Sequence, residues 1–256
     1  MIASTYFFNM IREAVTEYLS KHGVDITSEP KKFSENFKCV LFDMDGVLYD
    51  SMPNHALAWQ ESMAKFGINM TSANAYATEG ARGIDTIKKF MLDQIGKNIT
   101  LEEAQTIYDE KTRIFHHMPT APIFEGVTEM MEKIVQSGMS VNVVTGSGQR
   151  PLIDRLIHDF GKFIDEDHIT TAYDVKRGKP YPDPYLIGLK KAGNLKPSQG
   201  IVVENAPLGV RSGVSAGIFT IAINSGPLPD SALKNEGANI LFHKMTELSD
   251  EWNYLF

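Results

Sequence analysis

The sequence lacks the features of disulfide-bonded, zinc-stapled and membrane-spanning proteins. Cys39 is its one cysteine, which excludes internal disulfides, zinc ribbons and CxxC redox motifs and favours a reducing, cytoplasmic location. No apolar run of about 18 residues occurs, so no membrane span is predicted. Acidic residues outnumber basic ones by 32 to 25, and the net charge of −7 gives no field that would attract nucleic acid or anionic lipid. We therefore expect a monomer whose partner is a small molecule held by a local site.

The length of 256 residues, with 43% hydrophobic residues, is ample for a buried core. Short apolar runs that end in small or polar residues alternate with segments of helical periodicity. This alternation predicts an α/β fold with a Rossmann-like parallel sheet, and it places ligands beyond the carboxyl ends of the strands. The apolar runs are 39–42, 140–146, 200–205 and 219–225, and the helical segments between them are 126–137, 183–192 and 207–216.

Two segments fall outside this alternation. Residues 1–36 begin with an amphipathic helix followed by a polar linker, and docking of this helix on the body is favoured over docking on a partner subunit. Residues 53–122 show only helical periodicity, and Thr100 with Glu103 has the spacing of a capping box. We interpret 53–122 as a helical cap inserted into a sheet domain made of 37–52 and 123–256. Its insertion directly after the first strand makes it a candidate lid.

Two carboxylates, Asp43 and Asp45, follow the first predicted strand before a turn at Gly46. Alternation along a strand sends both side chains to the same side. Two negative charges so close together favour a bound cation, and carboxylate oxygens are ligands that suit Mg²⁺. One carboxylate can attack phosphorus while a second, with a raised pKa, handles the leaving-group proton. Two turn-forming aspartates beside a glycine are an equally good interpretation of this pair alone.

Three other places carry polar groups at or near predicted strand ends. Thr145 and Gly146 offer a hydroxyl and backbone N–H groups to a phosphate, although a helix cap would use the same residues. Lys179 lies in a proline-rich loop before a helix, and taken alone it is more simply interpreted as a solvated lysine. Glu204 and Asn205 end a later strand with two more oxygen ligands for a metal.

Taken in order, these four motifs resemble those of the haloacid dehalogenase superfamily, over roughly residues 37–256. The single helical cap and the segments 50–51, 80–83 and 178–180 look like the branch of β-phosphoglucomutases and phosphatases, which includes inorganic pyrophosphatases. The family's dehalogenases lack an acid two residues after the nucleophile, so Asp45 favours phosphoryl transfer.

The resemblance also implies roles for individual residues. Asp43 would be the nucleophile and an Mg²⁺ ligand. Asp45 would be the general acid and base and would bind the metal through its main-chain carbonyl. Thr145 and Lys179 would hold the transferring phosphoryl group, whose charge Lys179 and Mg²⁺ offset.

One position departs from the family pattern, because Asn205 stands where an aspartate ligand is usual. The amide keeps a carbonyl oxygen but removes a negative charge, which Glu204 would restore directly or through a water. The less acidic site suits a more anionic substrate such as pyrophosphate, and neutral drift at this ligand explains the change equally well.

We therefore expect a Mg²⁺-dependent phosphohydrolase with an aspartyl-phosphate intermediate and with inorganic pyrophosphate as its leading substrate. A β-phosphoglucomutase or a sugar-phosphate phosphatase is the alternative enzyme. A catalytically weakened phosphate-binding regulatory protein is the non-enzyme alternative, which only Asn205 supports.

The cap should select the leaving group, since the sheet domain contacts only the phosphoryl group. Glu79 and Arg82 lie in a turn between cap helices, and His55 lies near the start of the cap. Glu79 is expected to bind sugar hydroxyls, or Mg²⁺ carried in with pyrophosphate, and Arg82 to bind a distal phosphate. A solvated turn residue is the simpler alternative for Glu79, as is a helix-start residue for His55.

Overall fold

The computed structural model describes residues 2–24 and 35–255. Within these ranges six strands form one parallel sheet, whose members are β1 (Cys39–Phe42), β2 (Ser140–Val144), β3 (Ile169–Thr170), β4 (Gly200–Glu204), β5 (Phe219–Ile223) and β6 (Ile240–Phe242). Their order across the sheet is β3-β2-β1-β4-β5-β6, and every neighbouring pair is parallel. The central strands β1 and β4 are buried along their whole length, as expected where helices cover both faces.

Eleven α-helices lie in the described ranges: α1 (Ile2–Lys21), α2 (Met52–Ala64), α3 (Ser72–Ala77), α4 (Gly83–Ile95), α5 (Leu101–His116), α6 (Val127–Gln136), α7 (Arg150–Phe160), α8 (Asp183–Lys191), α9 (Pro207–Ser215), α10 (Asp230–Lys234) and α11 (Met245–Leu255). Short 3₁₀ turns occupy Glu166–His168 and Pro197–Gln199. Helices α1, α6, α7 and α11 pack on one face of the sheet, and α8 to α10 on the other. Alternation along β1 serves both layers, because Val40 and Phe42 join the first and Leu41 the second.

The cap consists of α2 to α5, which contain no strand and pack around a hydrophobic cluster of their own. Two chain segments join it to the sheet domain side by side. Tyr49 pairs with Ile123 in an antiparallel bridge, and the N–H of Asp50 donates to the main-chain O of Pro122 at 2.9 Å. The predicted capping box is confirmed, since Thr100 and Glu103 bond each other's main-chain N–H at the start of α5.

Helix α1 docks on the body of the protein, as expected. Ile11, Val15 and Leu19 are fully buried in the main core cluster. The hydroxyl of Tyr18 donates to the main-chain O of Gly217 at 2.8 Å and of Pro197 at 3.1 Å, just before β5 and β4 begin. The helix therefore closes the amino ends of the central strands, opposite the edge where ligands were expected. Part of the predicted linker, residues 25–34, lies outside the described residues.

The predicted α/β fold with a parallel sheet is confirmed, and the structure adds two edge strands that the sequence pattern did not indicate. β3 has two residues and β6 has three, so neither is long enough to show a periodic apolar pattern. Among the described residues, none of the helices combines the length and the apolar character that crossing a bilayer requires.

Candidate functional site

Lys179 lies at the centre of the carboxyl edge of the sheet, where its ammonium group is fully bonded. Its Nζ donates to Asp43 Oδ1 at 2.5 Å, to Glu204 Oε1 at 2.6 Å and to the main-chain O of Val144 at 3.0 Å. Although burial acts in the opposite direction, the two carboxylates raise the pKa of Lys179 well above its usual value. The interpretation of Lys179 as a solvated surface lysine is therefore wrong: the side chain is buried, charged and fixed.

Asp43 follows the last residue of β1 and is buried beside this ammonium group. Burial raises the pKa of Asp43 to about 7, the negative charges of Glu204 and Asp45 act in the same direction, and Lys179 opposes them. Its second oxygen, Oδ2, is buried without a hydrogen-bond partner. One oxygen of Asp43 is thus anchored and the other is available to a ligand.

The carboxylate of Glu204 is occupied by four hydrogen bonds. Oε1 accepts from Lys179 and, at 2.8 Å, from the hydroxyl of Tyr185 on α8. Oε2 accepts from the main-chain N–H groups of Asn205 at 2.9 Å and Ala206 at 3.2 Å. These contacts correct the expectation that Glu204 is a metal ligand, because its oxygens are directed to buried donors. Glu204 instead fixes Lys179 and the end of β4.

Asp45 bonds to the beginning of the cap. Its Oδ1 accepts from the hydroxyl of Ser51 at 2.6 Å and lies 3.2 Å from His55 Nε2 on α2. Burial would raise the pKa of Asp45, but His55, Ser51 and Lys111 together lower it to about 2. The expected raised pKa of the second carboxylate is therefore not found, since these surroundings favour the ionised form of Asp45.

Asn205 lies beside the Gly46 turn and completes a set of unpartnered oxygens. A Cβ atom on Gly46 would come within 2.0 Å of Asn205 Nδ2, and Gly46 has φ +82°, so only glycine fits this turn. Asn205 Oδ1 is buried without a hydrogen-bond partner, as is Asp43 Oδ2. No group of three or more His, Cys, Asp or Glu side chains converges as a metal site within the described ranges. The two free oxygens nevertheless fit a hard cation such as Mg²⁺, which takes few protein ligands and keeps several waters.

The segment after β2 forms a tight loop against the cap. The hydroxyl of Thr145 is buried and accepts from the N–H of Ser147 at 3.0 Å. Gly146 lies under the cap, since a Cβ atom there would come within 3.1 Å of the main-chain O of Gly80. Gly146 thus borders the cleft between the sheet domain and the cap, and the buried Thr145 directly precedes it.

The cleft above Asp45 is narrow, with a volume of about 40 Å³, and the cap residues Glu79, His55 and Lys111 line it together. Lys111 Nζ lies 2.8 Å from His55 Nδ1 and packs over the rings of Trp59 and Phe115. Since an ammonium group only donates, the ring proton of His55 is placed on Nε2, facing Asp45.

The charges in the cleft shift one another's titration. Burial raises the pKa of Glu79 to about 8, and the charges of Asp45 and Asp43 add to this effect. Burial lowers the pKa of Lys111 to about 8 against the pull of Glu79 and Asp45. Burial and then Lys111 lower the pKa of His55 despite its contact with Asp45. The cap side of the cleft (its roof) thus carries one acidic group, Glu79, and two basic groups, Lys111 and His55, whose pKa values depend on nearby charge.

Arg82 is not among the residues that border this cleft. Its guanidinium binds Asp85 through Nε at 2.8 Å and Nη2 at 3.2 Å, and Nη1 donates to the main-chain O of Lys176 at 3.0 Å. The structure therefore directs Arg82 to the outer side of the turn that contains Glu79. The expectation that Arg82 binds a distal phosphate is not supported by this position.

Residues 40–223 match the family model described as haloacid dehalogenase-like hydrolase, which covers most of the sheet domain and the whole cap. The chain belongs to this family. The superfamily resemblance of the four motifs is thereby confirmed, and so is the expectation that the protein is an enzyme.

Relatives of this haloacid dehalogenase-like hydrolase include phosphatases of small phosphorylated molecules. It is 31% identical over 212 residues to Hexitol phosphatase A of Escherichia coli (strain K12), covering 83% of this chain and 93% of that protein. It is 28% identical to a Phosphorylated carbohydrates phosphatase of Thermotoga maritima, over 72% of this chain and 83% of that one. A solved structure of a candidate β-phosphoglucomutase from Bacteroides vulgatus superposes with a TM-score of 0.87 at 46% identity, covering 96% of each chain.

In this haloacid dehalogenase-like hydrolase the sequence reasoning missed one charged residue of the cleft, Lys111. The residue lies on the buried side of α5 together with Ala104, Ile107 and Ile114. A lysine within an apolar helical stripe is the signal that would have identified it, because lysine is seldom fully buried without a partner. Ser51 was noted only as part of a family motif, although its hydroxyl bonds the second aspartate.

Proposed function

We propose that this family member is a Mg²⁺-dependent phosphohydrolase in which Asp43 is the nucleophile and Asp45 the general acid and base. The observation that carries the proposal is the state of Asp43: Oδ1 is held by Lys179, while Oδ2 is buried and has no hydrogen-bond partner. Asp45, two residues further on, is oriented independently by Ser51 and His55. The two carboxylates therefore have different surroundings and can take different roles.

The reaction runs in two steps. One carboxylate oxygen of Asp43 attacks phosphorus, the bond from phosphorus to the leaving oxygen breaks, and that oxygen takes a proton from Asp45. A water then attacks phosphorus, its proton goes to Asp45, and phosphate leaves as the aspartyl phosphate breaks. The surroundings of Asp45 lower its pKa, and the negative charge of a phosphoryl group beside it would raise that pKa and so prepare Asp45 for the first proton transfer.

The residues present fit a magnesium ion on the sheet side of the cleft. Asn205 Oδ1 and the carboxylate oxygen of Asp43 that does not attack phosphorus would hold it, and family resemblance adds the main-chain carbonyl of Asp45. A bound ion supplies positive charge beside the phosphoryl oxygens, in addition to the charge of Lys179. Thr145, with its buried hydroxyl at the end of β2, and the adjacent Gly146 would complete the phosphoryl site.

The substrate class that the relatives support is a small phosphorylated carbohydrate or polyol, since hexitols and carbohydrates occur in their names. In that case Glu79 and Lys111 would bind hydroxyl groups of the leaving sugar. A β-phosphoglucomutase would use the same sheet-side residues, and it must in addition protect the phosphorylated aspartate from water.

Inorganic pyrophosphate is a second candidate, and none of the relatives supports it. One observation favours it: Asn205 brings no negative charge. The cleft volume of about 40 Å³ accommodates about three waters at roughly 10–15 Å³ each, so either substrate would require the cap to move outward. The neutral amide removes one repulsive charge from the path of a highly anionic substrate.

The test is phosphate release with Mg²⁺ from pyrophosphate, β-glucose 1-phosphate, hexitol phosphates and a nucleotide. We expect turnover that needs Mg²⁺ and disappears in Asp43→Ala, while Asp109→Ala, on the exposed face of α5, retains it. Isomerisation of the glucose phosphate without release would assign a mutase. Turnover that survives Asp43→Ala would overturn the proposed nucleophile.

A further inference from the structure

Arg82 forms a hydrogen bond from the cap to the loop before α8. It precedes α4, and its Nη1 donates to the main-chain O of Lys176 in the sheet domain at 3.0 Å. The two bonds from Nε and Nη2 to Asp85, one turn along α4, fix the plane of the guanidinium. Arg82 therefore bonds two partners: Asp85 in the cap, which orients the guanidinium, and the main-chain O of Lys176 in the sheet domain.

A gap of about 740 Å³ separates the cap from the sheet domain on this side, and Arg82 crosses it. The gap is bordered by α3 and α4 on the cap side and by the 177–181 loop on the other. Other cations at its border are bonded within their own domain: Lys89 pairs with Asp93, and Arg177 with Asp183. Neither of these two cations bridges the gap, whereas Arg82 donates across it to Lys176.

The receiving loop leads directly to Lys179. The Arg82 side chain lies on Gly178, where a Cβ atom would come within 2.8 Å of Arg82 Cγ. The next residue is Lys179, whose Nζ holds Asp43. On the other side of the turn, Gly80 contacts the Lys179 side chain, since a Cβ atom on Gly80 would come within 3.0 Å of Lys179 Cδ. The segment 80–82 thus covers Lys179 and the residue before it.

We infer that Arg82 is a positioning residue that latches the closed cap onto the Lys179 loop and does not bind substrate. The inference rests on the proposed function in one respect, that closure over Lys179 serves phosphoryl transfer. Asp85 belongs to the same device, because it holds the guanidinium in the orientation that reaches Lys176. Loss of the latch shifts the cap towards open conformations and acts equally on every substrate.

The first test measures cap closure without substrate. Nitroxide labels on Leu92→Cys in the cap and Leu186→Cys in the sheet domain report the distance between exposed positions, and the single native cysteine, Cys39, is buried. We expect Arg82→Met to add a population at longer distance. Lys89→Met is the matched control, because it removes a cation from the same gap that bonds only within α4, and it should leave the distances unchanged.

The second test separates a latch from a phosphate ligand. A latch predicts that Arg82→Met lowers kcat/KM by about three- to tenfold for each substrate that is turned over, with or without a second phosphate. It also predicts that Asp85→Asn lowers kcat/KM, and that the double variant loses less than the sum of the two single losses in free energy. A phosphate ligand predicts a loss confined to substrates with a second phosphate, and tighter binding when Asp85→Asn frees the guanidinium.

The latch is overturned by unchanged label distances in Arg82→Met, or by a loss restricted to substrates with a second phosphate. Absence of Mg²⁺-dependent phosphate release in the wild-type protein would remove the proposed function alone. The label distances are measured without turnover, so they decide the latch in either case.

Discussion

Replacing Glu204 with glutamine distinguishes a structural carboxylate from a metal ligand. The four donors around Glu204 come from Lys179, Tyr185 and the N–H groups of residues 205 and 206. A carboxamide has only one acceptor oxygen, so in either orientation its NH₂ group faces two of these donors. Glu204→Gln therefore leaves two buried donors unsatisfied and removes one counter-ion of Lys179.

The size of the effect follows from burial, since Glu204 and Lys179 are almost completely inaccessible to solvent. Breaking a buried ion pair by removing one partner costs about 3–5 kcal/mol of the free energy of unfolding. For a chain of this length each kcal/mol lowers Tm by about 2–4 °C, so the expected decrease is about 6–20 °C. Tyr185→Phe removes one hydrogen bond to the same carboxylate and keeps the ring, so it should cost less, about 1.5–3 kcal/mol.

Thermal unfolding followed by near-ultraviolet circular dichroism, with and without Mg²⁺, measures this effect. We expect Tm to fall in both conditions, more for Glu204→Gln than for Tyr185→Phe. The reasoning is refuted if Glu204→Gln leaves Tm unchanged without Mg²⁺ and raises the Mg²⁺ concentration needed for half-maximal activity. That result would make Glu204 a metal ligand after all.

Two further predictions concern α1 and the roof of the cleft. Tyr18→Phe should lower the free energy of unfolding by about 1–2 kcal/mol, visible in urea titrations, without changing activity, because the lost bonds lie at the amino ends of the strands. Glu79 has a folded pKa of about 8 against an ordinary 4.5, so its protonation stabilises the fold fully below about pH 4.5, and this contribution is lost as pH rises through 8. Glu79→Gln should therefore gain stability relative to wild type between pH 5 and pH 9. Equal pH profiles for the two proteins would contradict this assignment.

The convergence of the site could be predicted from the sequence because it depends on topology alone. Parallel strands end at one edge, so polar residues after β1, β2 and β4 had to come close together. Asp43 and Asp45 lie two residues apart, and both were expected on the cleft side. Asp45 lines the cleft, whereas Asp43 is buried beside Lys179, and their electrostatic surroundings differ, with a pKa of about 7 for Asp43 and about 2 for Asp45.

The different roles of Glu204 and Asn205 follow from the same alternation, which the sequence interpretation did not apply to them. Successive side chains at a strand end point to opposite sides, so adjacent residues do not readily share one ligand. Glu204 points to Tyr185 and Lys179, whereas Asn205 points to the Gly46 turn. Polar residues two positions apart at a strand end, such as Asp43 and Asp45, are expected to face one site. Adjacent residues, such as Glu204 and Asn205, are expected to face different ones.

The roles of the cap's basic residues depend on how the cap is placed over the sheet, which no local pattern contains. Arg82 lies in a turn between helices and was assigned to the cleft, yet it crosses the gap on the outer side. Lys111 lies within a helix and was overlooked, yet it enters the cleft beside His55. The cap joins the sheet domain through two short segments paired at Tyr49 and Ile123, and Gly80 and Arg82 contact the sheet domain as well. Which cation enters the cleft is therefore decided by contacts between residues far apart in the sequence, and a helical pattern within the cap does not contain that information.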